Sequence, residues 1–182
     1  MKKILQKKLK ILAKMILAKY NPTVVGVTGS VGKTTTKEAI YTVLASKYRS
    51  RRSVKNYNNE LGVPLTIIGE EAPGRSLRKW LKIFFKAWGL MIIRSNNYPE
   101  VLVLEMAVDK PGDMKYLTDI VKCDVGVVTA IGSSHLEFFD SVAKIQKEKG
   151  ILIEELNRKG WAILNYDDPK CRELKDKSYS KI

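Results

Sequence analysis

The run Gly26-Val27-Thr28-Gly29-Ser30-Val31-Gly32-Lys33-Thr34-Thr35 holds the residue types that grip a phosphate chain. Glycines let a backbone curl until several N–H groups point inward at phosphate oxygens, and a helix opening directly behind the turn adds the positive end of its dipole. On that chemistry Thr28, Gly29, Ser30, Gly32 and Thr35 line the phosphates of a nucleotide such as ATP. Lys33 reaches the β- and γ-phosphates, and the Thr34 hydroxyl holds Mg²⁺. The general spacing asks for glycine at position 27, where this sequence has Val27 between Gly26 and Gly29. A bare Gly-Lys-Thr would say little; its place between an expected strand and an expected helix is what gives it meaning.

The elements that must carry this turn alternate along the chain. Apolar strands are expected at Val24–Thr28, Val101–Leu104, Val125–Thr129 and Trp161–Leu164. Helices are expected at Thr35–Lys47, Asp113–Val121 behind Pro111-Gly112, and Val142–Leu156 with Ser141 as its cap. Continuous apolar strands alternating with helices predict an α/β fold, a P-loop-like and mostly parallel sheet with helices on both faces. In such sheets ligands bind beyond the carboxyl ends of the strands. Residues 28–34, Glu105, His135 and Asn165 each fall just after an expected strand, so they gather along one rim.

Residues 1–21 precede this domain as a basic amphipathic helix, with Ile4, Leu5, Leu9, Leu12 and Ile16 at helical spacing and lysines on the other face. Docking on its own domain is the plain expectation for it; a lysine-rich helix also suits peripheral contact with an anionic membrane. Asn21-Pro22 ends it. Residues 22–182 form the second unit. Within it Ser76–Arg94 is helix-like, with Trp80, Phe84, Phe85 and Trp88, and with Lys79, Lys82 and Lys86 on one face. Burial against the sheet or against a neighbouring domain is expected for it, membrane contact being the lesser alternative.

With 182 residues, 45% apolar and 29% charged, the chain suits one well-buried domain. A formal charge of +14 favours polyanionic partners: nucleotides, nucleic acid or an anionic membrane. Cys123 and Cys171 fit neither a disulfide framework nor a metal-ligand spacing, which points to a reducing cytoplasm. Lysines at 7, 8, 10 and 14 interrupt the apolar stretch that a cleavable signal requires. A single histidine, His135, excludes a multi-histidine zinc site.

The shortened loop Thr28-Gly-Ser-Val-Gly-Lys-Thr-Thr35 resembles that of the Mur ligases and their folylpolyglutamate synthase relatives. Further matches follow in order. Asn56-Tyr-Asn-Asn-Glu-Leu-Gly-Val-Pro-Leu-Thr66 is similar to the asparagine-rich segment of the branch that adds D-alanyl-D-alanine to a muramoyl peptide. Leu104-Glu105-Met106 resembles the family's metal-binding strand end, and Ala130–Glu137 its histidine loop. Lys147-Glu148-Lys149-Gly150 falls where the family keeps a modified lysine, and Leu164–Asp168 resembles a later nucleotide-side segment that includes Asn165.

The resemblance covers residues 22 to about 170 and concerns the family's central ATP-binding domain. It implies an ATP-dependent carboxylate–amine ligase working through an acyl phosphate in peptidoglycan precursor synthesis, with a UDP-linked muramoyl peptide or similar carboxylate and an amine as substrates. By the same resemblance Lys33 meets the migrating phosphate, Thr34 and Glu105 hold one Mg²⁺, and His135 is a ligand of a second. Lys149 carries CO₂ as a carbamate, though Lys147 lies close enough in sequence to compete. Asn58, Asn59 and Glu60 line the substrate side near the γ-phosphate; an asparagine-rich turn is the simpler reading of the same residues. The domains that grip the UDP-sugar and bring the amine in typical members have no counterpart here, and Tyr179–Ile182 reads as one more strand cut short. A nucleotide-binding fragment or regulator without turnover and a folylpolyglutamate synthase-like ligase are the alternatives. No nucleic-acid-binding module is recognisable, so nucleic acid is not an expected partner.

Overall fold

In the computed structural model, residues 2–54, 57–74, 76–134 and 136–182 are described. Five parallel strands form one sheet in the order β2-β3-β1-β4-β5. They are β1 (Thr23–Thr28), β2 (Ser50–Arg52), β3 (Val101–Glu105), β4 (Val125–Val128) and β5 (Trp161–Leu164). β1 lies at the centre, with Val25 opposite both Val103 of β3 and Val125 of β4. The chain therefore leaves β1 where connections diverge to both halves of the sheet, which is where open α/β sheets form ligand crevices.

Side chains alternate across the sheet as the strand period requires. Val25, Val27, Val101, Val103 and Val127 face α2 (Lys33–Ala45), meeting Ile40, Tyr41 and Leu44. Val24, Leu102, Leu104 and Val128 face the larger core on the other side. That core is built with α3 (Gly62–Ile68), α5 (Asp113–Ile120) and α7 (Val142–Glu154). The Ser141 hydroxyl accepts Lys144 N at the start of α7, as its type and position predict. The sheet has helices on both faces, as expected.

Gly26 sits on the α7 side of β1. A Cβ there would lie 2.7 Å from Cys123 Sγ, 3.0 Å from Met106 Sδ and 3.1 Å from Leu152 Cδ1 of α7. This glycine lets a helix approach the sheet, whereas Val27 packs on the α2 side, fully buried.

Helix α1 (Lys2–Tyr20) docks on its own domain. Leu9, Leu12, Ala13 and Ile16 are buried in the larger core against α3, α4 (Leu77–Ile92) and α5. The apolar face that a lipid surface would have needed is thus largely consumed inside the protein. Tyr20 stacks on Tyr98 at 4.0 Å, and Lys19 Nζ donates to the carbonyls of Leu90 and Met91, tying α1 to the end of α4. Instead of lying on the sheet, α4 packs chiefly on α1 and α3, burying Ile83 and Ala87.

Three elements carry no clear signal in the sequence. β2 is three polar residues at the sheet edge, α3 contains Gly62 and Pro64, and α6 (Leu136–Phe139) is a single turn. After α8 (Pro169–Arg172) and a 3-10 turn at Glu173–Lys177, the chain returns to β5. Ala162 N donates to Lys181 O, and Lys181 N to Gly160 O, a parallel bridge in keeping with the strand-like reading of the last residues.

Candidate active site

The turn after β1 is held in shape before any ligand is considered. Gly29 has φ +151° and Gly32, at the start of α2, has φ +81°; both favour glycine. A Cβ on Gly29 would lie 2.0 Å from Thr129 Oγ1. Thr129 Oγ1 donates to the carbonyls of Thr28 and Val31, bracing the loop from the end of β4. Ser30 N donates to Ala130 O, and Ser30 Oγ pairs with Gly132 through both its N–H (2.9 Å) and its carbonyl (3.2 Å).

Two cations converge on one oxygen of this loop. Lys33 Nζ donates to Gly29 O at 2.8 Å and to Ser30 O at 3.3 Å, while Lys149 Nζ donates to the same Gly29 O at 3.1 Å. Lys149 is 2% exposed. Burial, and next the charge of Lys33, pull its pKa from 10.5 down to about 8, against the opposing charges of Asp109 and Glu148. Lys147, its competitor in the sequence, is exposed. Between them Glu148 turns inward and accepts Gly112 N and Met114 N at the start of α5, fixing α7 to its neighbour.

The carboxyl end of β3 supplies the anion. Glu105 is 3% exposed, and its Oε2 accepts the Thr34 hydroxyl at 3.0 Å. Its Oε1 accepts Asn58 Nδ2 at 3.2 Å, and Lys37 Nζ stands 3.7 Å from Oε2. Lys37 is itself fully buried, donating to Ser53 O, while Ser53 Oγ accepts Glu105 N. Sequence reading passed over Lys37, although its place one helical turn beyond Lys33 was a usable signal.

A cleft of about 510 Å³ opens over these groups, lined by residues 30–35 together with Asn58, Asn59, Glu105 and Asp109. Gly32, Thr34 and Thr35 are exposed to it. The Thr34 hydroxyl and the Glu105 carboxylate are hard oxygen donors set side by side, which suits Mg²⁺, an ion that takes one or two protein oxygens and completes its shell with water and phosphate. Among the described residues no cluster of three or more His, Cys, Asp or Glu could hold a metal.

Of the other expected site residues, Asn59 lines the cleft, whereas Thr28, Glu60 and Asn165 are not in its lining. Thr28 is fully buried and its hydroxyl is spent on Met106 O, so its side chain supports the loop from below instead of facing the cleft. Asn59 Oδ1 accepts Leu61 N and Gly62 N, building the turn into α3. Glu60 lies near Tyr116, whose phenol pKa is raised by burial and then by that carboxylate. Asn165 Nδ2 donates to Thr129 O, joining the end of β5 to the end of β4. Asp168, not singled out in the sequence, accepts Ile131 N at 2.7 Å and caps α8 through Lys170 N and Cys171 N. Burial pushes its carboxyl up, but these N–H groups outweigh it and hold its pKa below the ordinary value. His135 lies outside the described residues, as does Asn56.

The description "Mur ligase middle domain" matches residues 27–73 and 90–182. The UDP-N-acetylmuramoyl-tripeptide--D-alanyl-D-alanine ligase of Bacillus subtilis (strain 168) is 33% identical over 158 residues, 87% of this chain and 29% of that protein. The crystal structure of the MurF ligase from Thermotoga maritima in complex with ADP superimposes with a TM-score of 0.75 at 34% identity, covering 97% of this chain and 35% of that one. A crystal structure of MurF from Acinetobacter baumannii gives 0.76 at 24% identity over 97% of this chain and 34% of that one, a likeness of fold. The chain spans about a third of the length of these relatives.

Proposed function

Because this chain belongs to the Mur ligase family through that family's middle domain, we propose that it is the nucleotide-binding core of an ATP-dependent carboxylate–amine ligase in peptidoglycan precursor synthesis. The observation that carries the reading is Thr34 Oγ1 at 3.0 Å from Glu105 Oε2, beside a glycine turn on which Lys33 and Lys149 converge. Two ammonium groups on one carbonyl oxygen leave positive charge that a polyphosphate would balance. The substrates proposed, from the relatives, are ATP, a UDP-linked muramoyl tripeptide and D-alanyl-D-alanine.

A carboxylate and an amine form an ion pair, not an amide, so the carboxylate must first be activated. A carboxylate oxygen takes the γ-phosphoryl group as the bond to ADP breaks. The amine nitrogen then attacks the carbonyl carbon, phosphate leaves, and the nitrogen loses a proton. Phosphoryl transfer of this kind depends on positioning and on neutralising charge. Lys33 would meet the migrating phosphoryl group, the amides of the turn other than Ser30 N, which is bonded to Ala130 O, would cradle the phosphates, and Thr34 with Glu105 would hold Mg²⁺ while Asn58 fixes the carboxylate. The ion's contribution is to neutralise charge on the phosphate oxygens. His135 is proposed as a ligand of a second ion on the family resemblance. Residues 1–21 serve as a covering helix and residues 22–182 as the domain that does this work. A cytoplasmic setting accords with two buried, unpaired cysteines.

Lys149 is proposed to carry CO₂. With its pKa drawn down to about 8, a substantial fraction is neutral near physiological pH. The free amine nitrogen bonds to the carbon of CO₂ and releases a proton, turning a buried cation into an anion next to Lys33. Stabilisation by bicarbonate that is lost in Lys149→Met tests this step.

The function is tested by calorimetry of ATP binding with and without Mg²⁺, comparing the chain with Lys33→Ala. Binding that needs Mg²⁺ and falls at least tenfold in the variant is expected. Equal binding by both proteins would remove Lys33 from the site and this reading with it.

A further inference from the structure

We propose that the outward row of α4 seats the protein on an anionic lipid surface, the helix lying in the plane of the headgroups. The row is Leu77, Leu81, Phe85, Trp88 and Ile92, spaced four, four, three and four apart, and therefore a single narrow stripe. Leu77, Phe85 and Ile92 are 73–74% exposed, Trp88 60% and Leu81 49%. Scattered apolar residues are ordinary on a surface, but five large ones in register form a contiguous patch of the kind that marks an interaction face. The helix is already fixed, since its opposite side buries Ile83 and Ala87 against α1 and α3. The row is therefore presented outward by a docked helix.

Charge identifies the occupant. Arg78 and Lys82 each follow a row residue by one position, which places them on the adjoining strip of the helix, and both are exposed. Lys86 continues that strip but is engaged by Gly69 O and Glu70. Beside α4, α1 presents Lys3, Lys7, Lys8 and Lys14 around the exposed Ile4, Ile11 and Met15. The two helices together contain eleven Lys and Arg and no Asp or Glu, within a net charge of +14. A second copy of the chain would bring the same cations to the contact and be repelled, whereas an anionic bilayer offers apolar depth under negative charge. Trp88 suits that boundary, with an apolar ring and one N–H for the wet side. Among the described residues no helix is long and apolar enough to cross a membrane, so the contact lies on the surface.

The residues of the nucleotide cleft all lie outside α4, so this inference stands or falls apart from the proposed ligase chemistry.

Flotation of the 182-residue chain with vesicles tests it, using phosphatidylcholine alone and phosphatidylcholine mixed with phosphatidylglycerol, whose headgroups make the surface anionic. Binding at least tenfold tighter to the anionic vesicles is expected, with a blue shift of tryptophan emission that Trp88→Phe removes. The pair Phe85→Ser and Trp88→Ser, both on the exposed row, should lose binding at least tenfold with an unchanged circular dichroism spectrum. Equal partition into both vesicle types, no partition, or anionic binding unmoved by the serine pair would each overturn the proposal. So would a lipid-free dimer in light scattering that the serine pair dissociates, since a second copy would then be the occupant.

Discussion

Replacing Lys149 with Met should stabilise the protein at neutral pH, although it removes a side chain from the centre of the proposed site. Folding takes the Lys149 ammonium from water into a place 2% exposed, beside a second ammonium. The fall in pKa from 10.5 to about 8 corresponds to about 3 kcal/mol at roughly 1.4 kcal/mol per unit. The methionine variant also loses the hydrogen bond to Gly29 O, about 1 kcal/mol, although that oxygen keeps Lys33. A net gain of about 2 kcal/mol follows, equivalent to a rise of about 1 M in the urea midpoint for an m-value of about 2 kcal/mol/M. The pH dependence is the sharper signature. Below pH 8 both folded and unfolded chains hold the proton, and the whole penalty stands. Between 8 and 10.5 the folded chain releases it first, so wild-type stability climbs with pH while Lys149→Met stays flat. Cys123 and Cys171, pushed up to about 12 chiefly by burial, act oppositely: the stability they contribute is lost as pH rises above 9. Urea unfolding of both proteins from pH 6.5 to 9 in CO₂-free buffer therefore isolates Lys149. Parallel curves would refute the argument. Bicarbonate added at pH 8 should then raise the wild-type midpoint alone, because a modification confined to the folded state stabilises it.

Gly29→Ala should cost about 2–4 kcal/mol, combining strain at φ +151° with displacement of the Thr129 hydroxyl that a Cβ would meet at 2.0 Å. Its thermal midpoint should fall by roughly 5–10 °C, and a melt within 2 °C of wild type (about 0.5–1 kcal/mol) would show that the loop has room the structure denies it. Asp168→Ala removes the acceptor of Ile131, Lys170 and Cys171 N–H groups, at a cost of about 2 kcal/mol. Hydrogen exchange at the Ile131 amide should quicken at least tenfold; unchanged protection would leave Ser30 as the sole tie of the 130–132 loop.

What could be read from the sequence was what local chemistry dictates. The glycine turn, the four apolar strands and the helices flanking them are stated by residue type and period, and Trp161–Leu164 is a strand with the expected bounds. β2 was hidden because Ser50-Arg51-Arg52 has no apolar face; it pairs only because β3 offers an edge. α3 was hidden because Gly62 and Pro64 argue against a helix, yet every residue from 62 to 68 is buried and tertiary packing overrides propensity. In the site, residue types identified Lys33, Thr34 and Glu105 as candidates, but not what each side chain does. Thr28 carries the same hydroxyl as Thr34, and folding spends it on the Met106 carbonyl, while Asn59 commits its Oδ1 to Leu61 N and Gly62 N. Lys147 and Lys149 are equivalent on paper. They sit two positions apart on a helix, so only the docking of α7 decides which one faces the loop.

The missing side chain at Gly26 has a consequence for a residue it never touches. Leu152 rests where a methyl group on residue 26 would be, and Lys149 lies one turn earlier on the same helix. The glycine thus acts as a gauge block that sets the gap between β1 and α7. The Lys149 contact with Gly29 O is 3.1 Å, and a displacement of half an ångström would take it beyond hydrogen-bonding range. Bulk at position 26 would have to be surrendered at 123, 106 or 152 to restore the gap, so these four positions form one compensating set. A change at any one of them would move Lys149 relative to the loop while every residue of the cleft stayed the same.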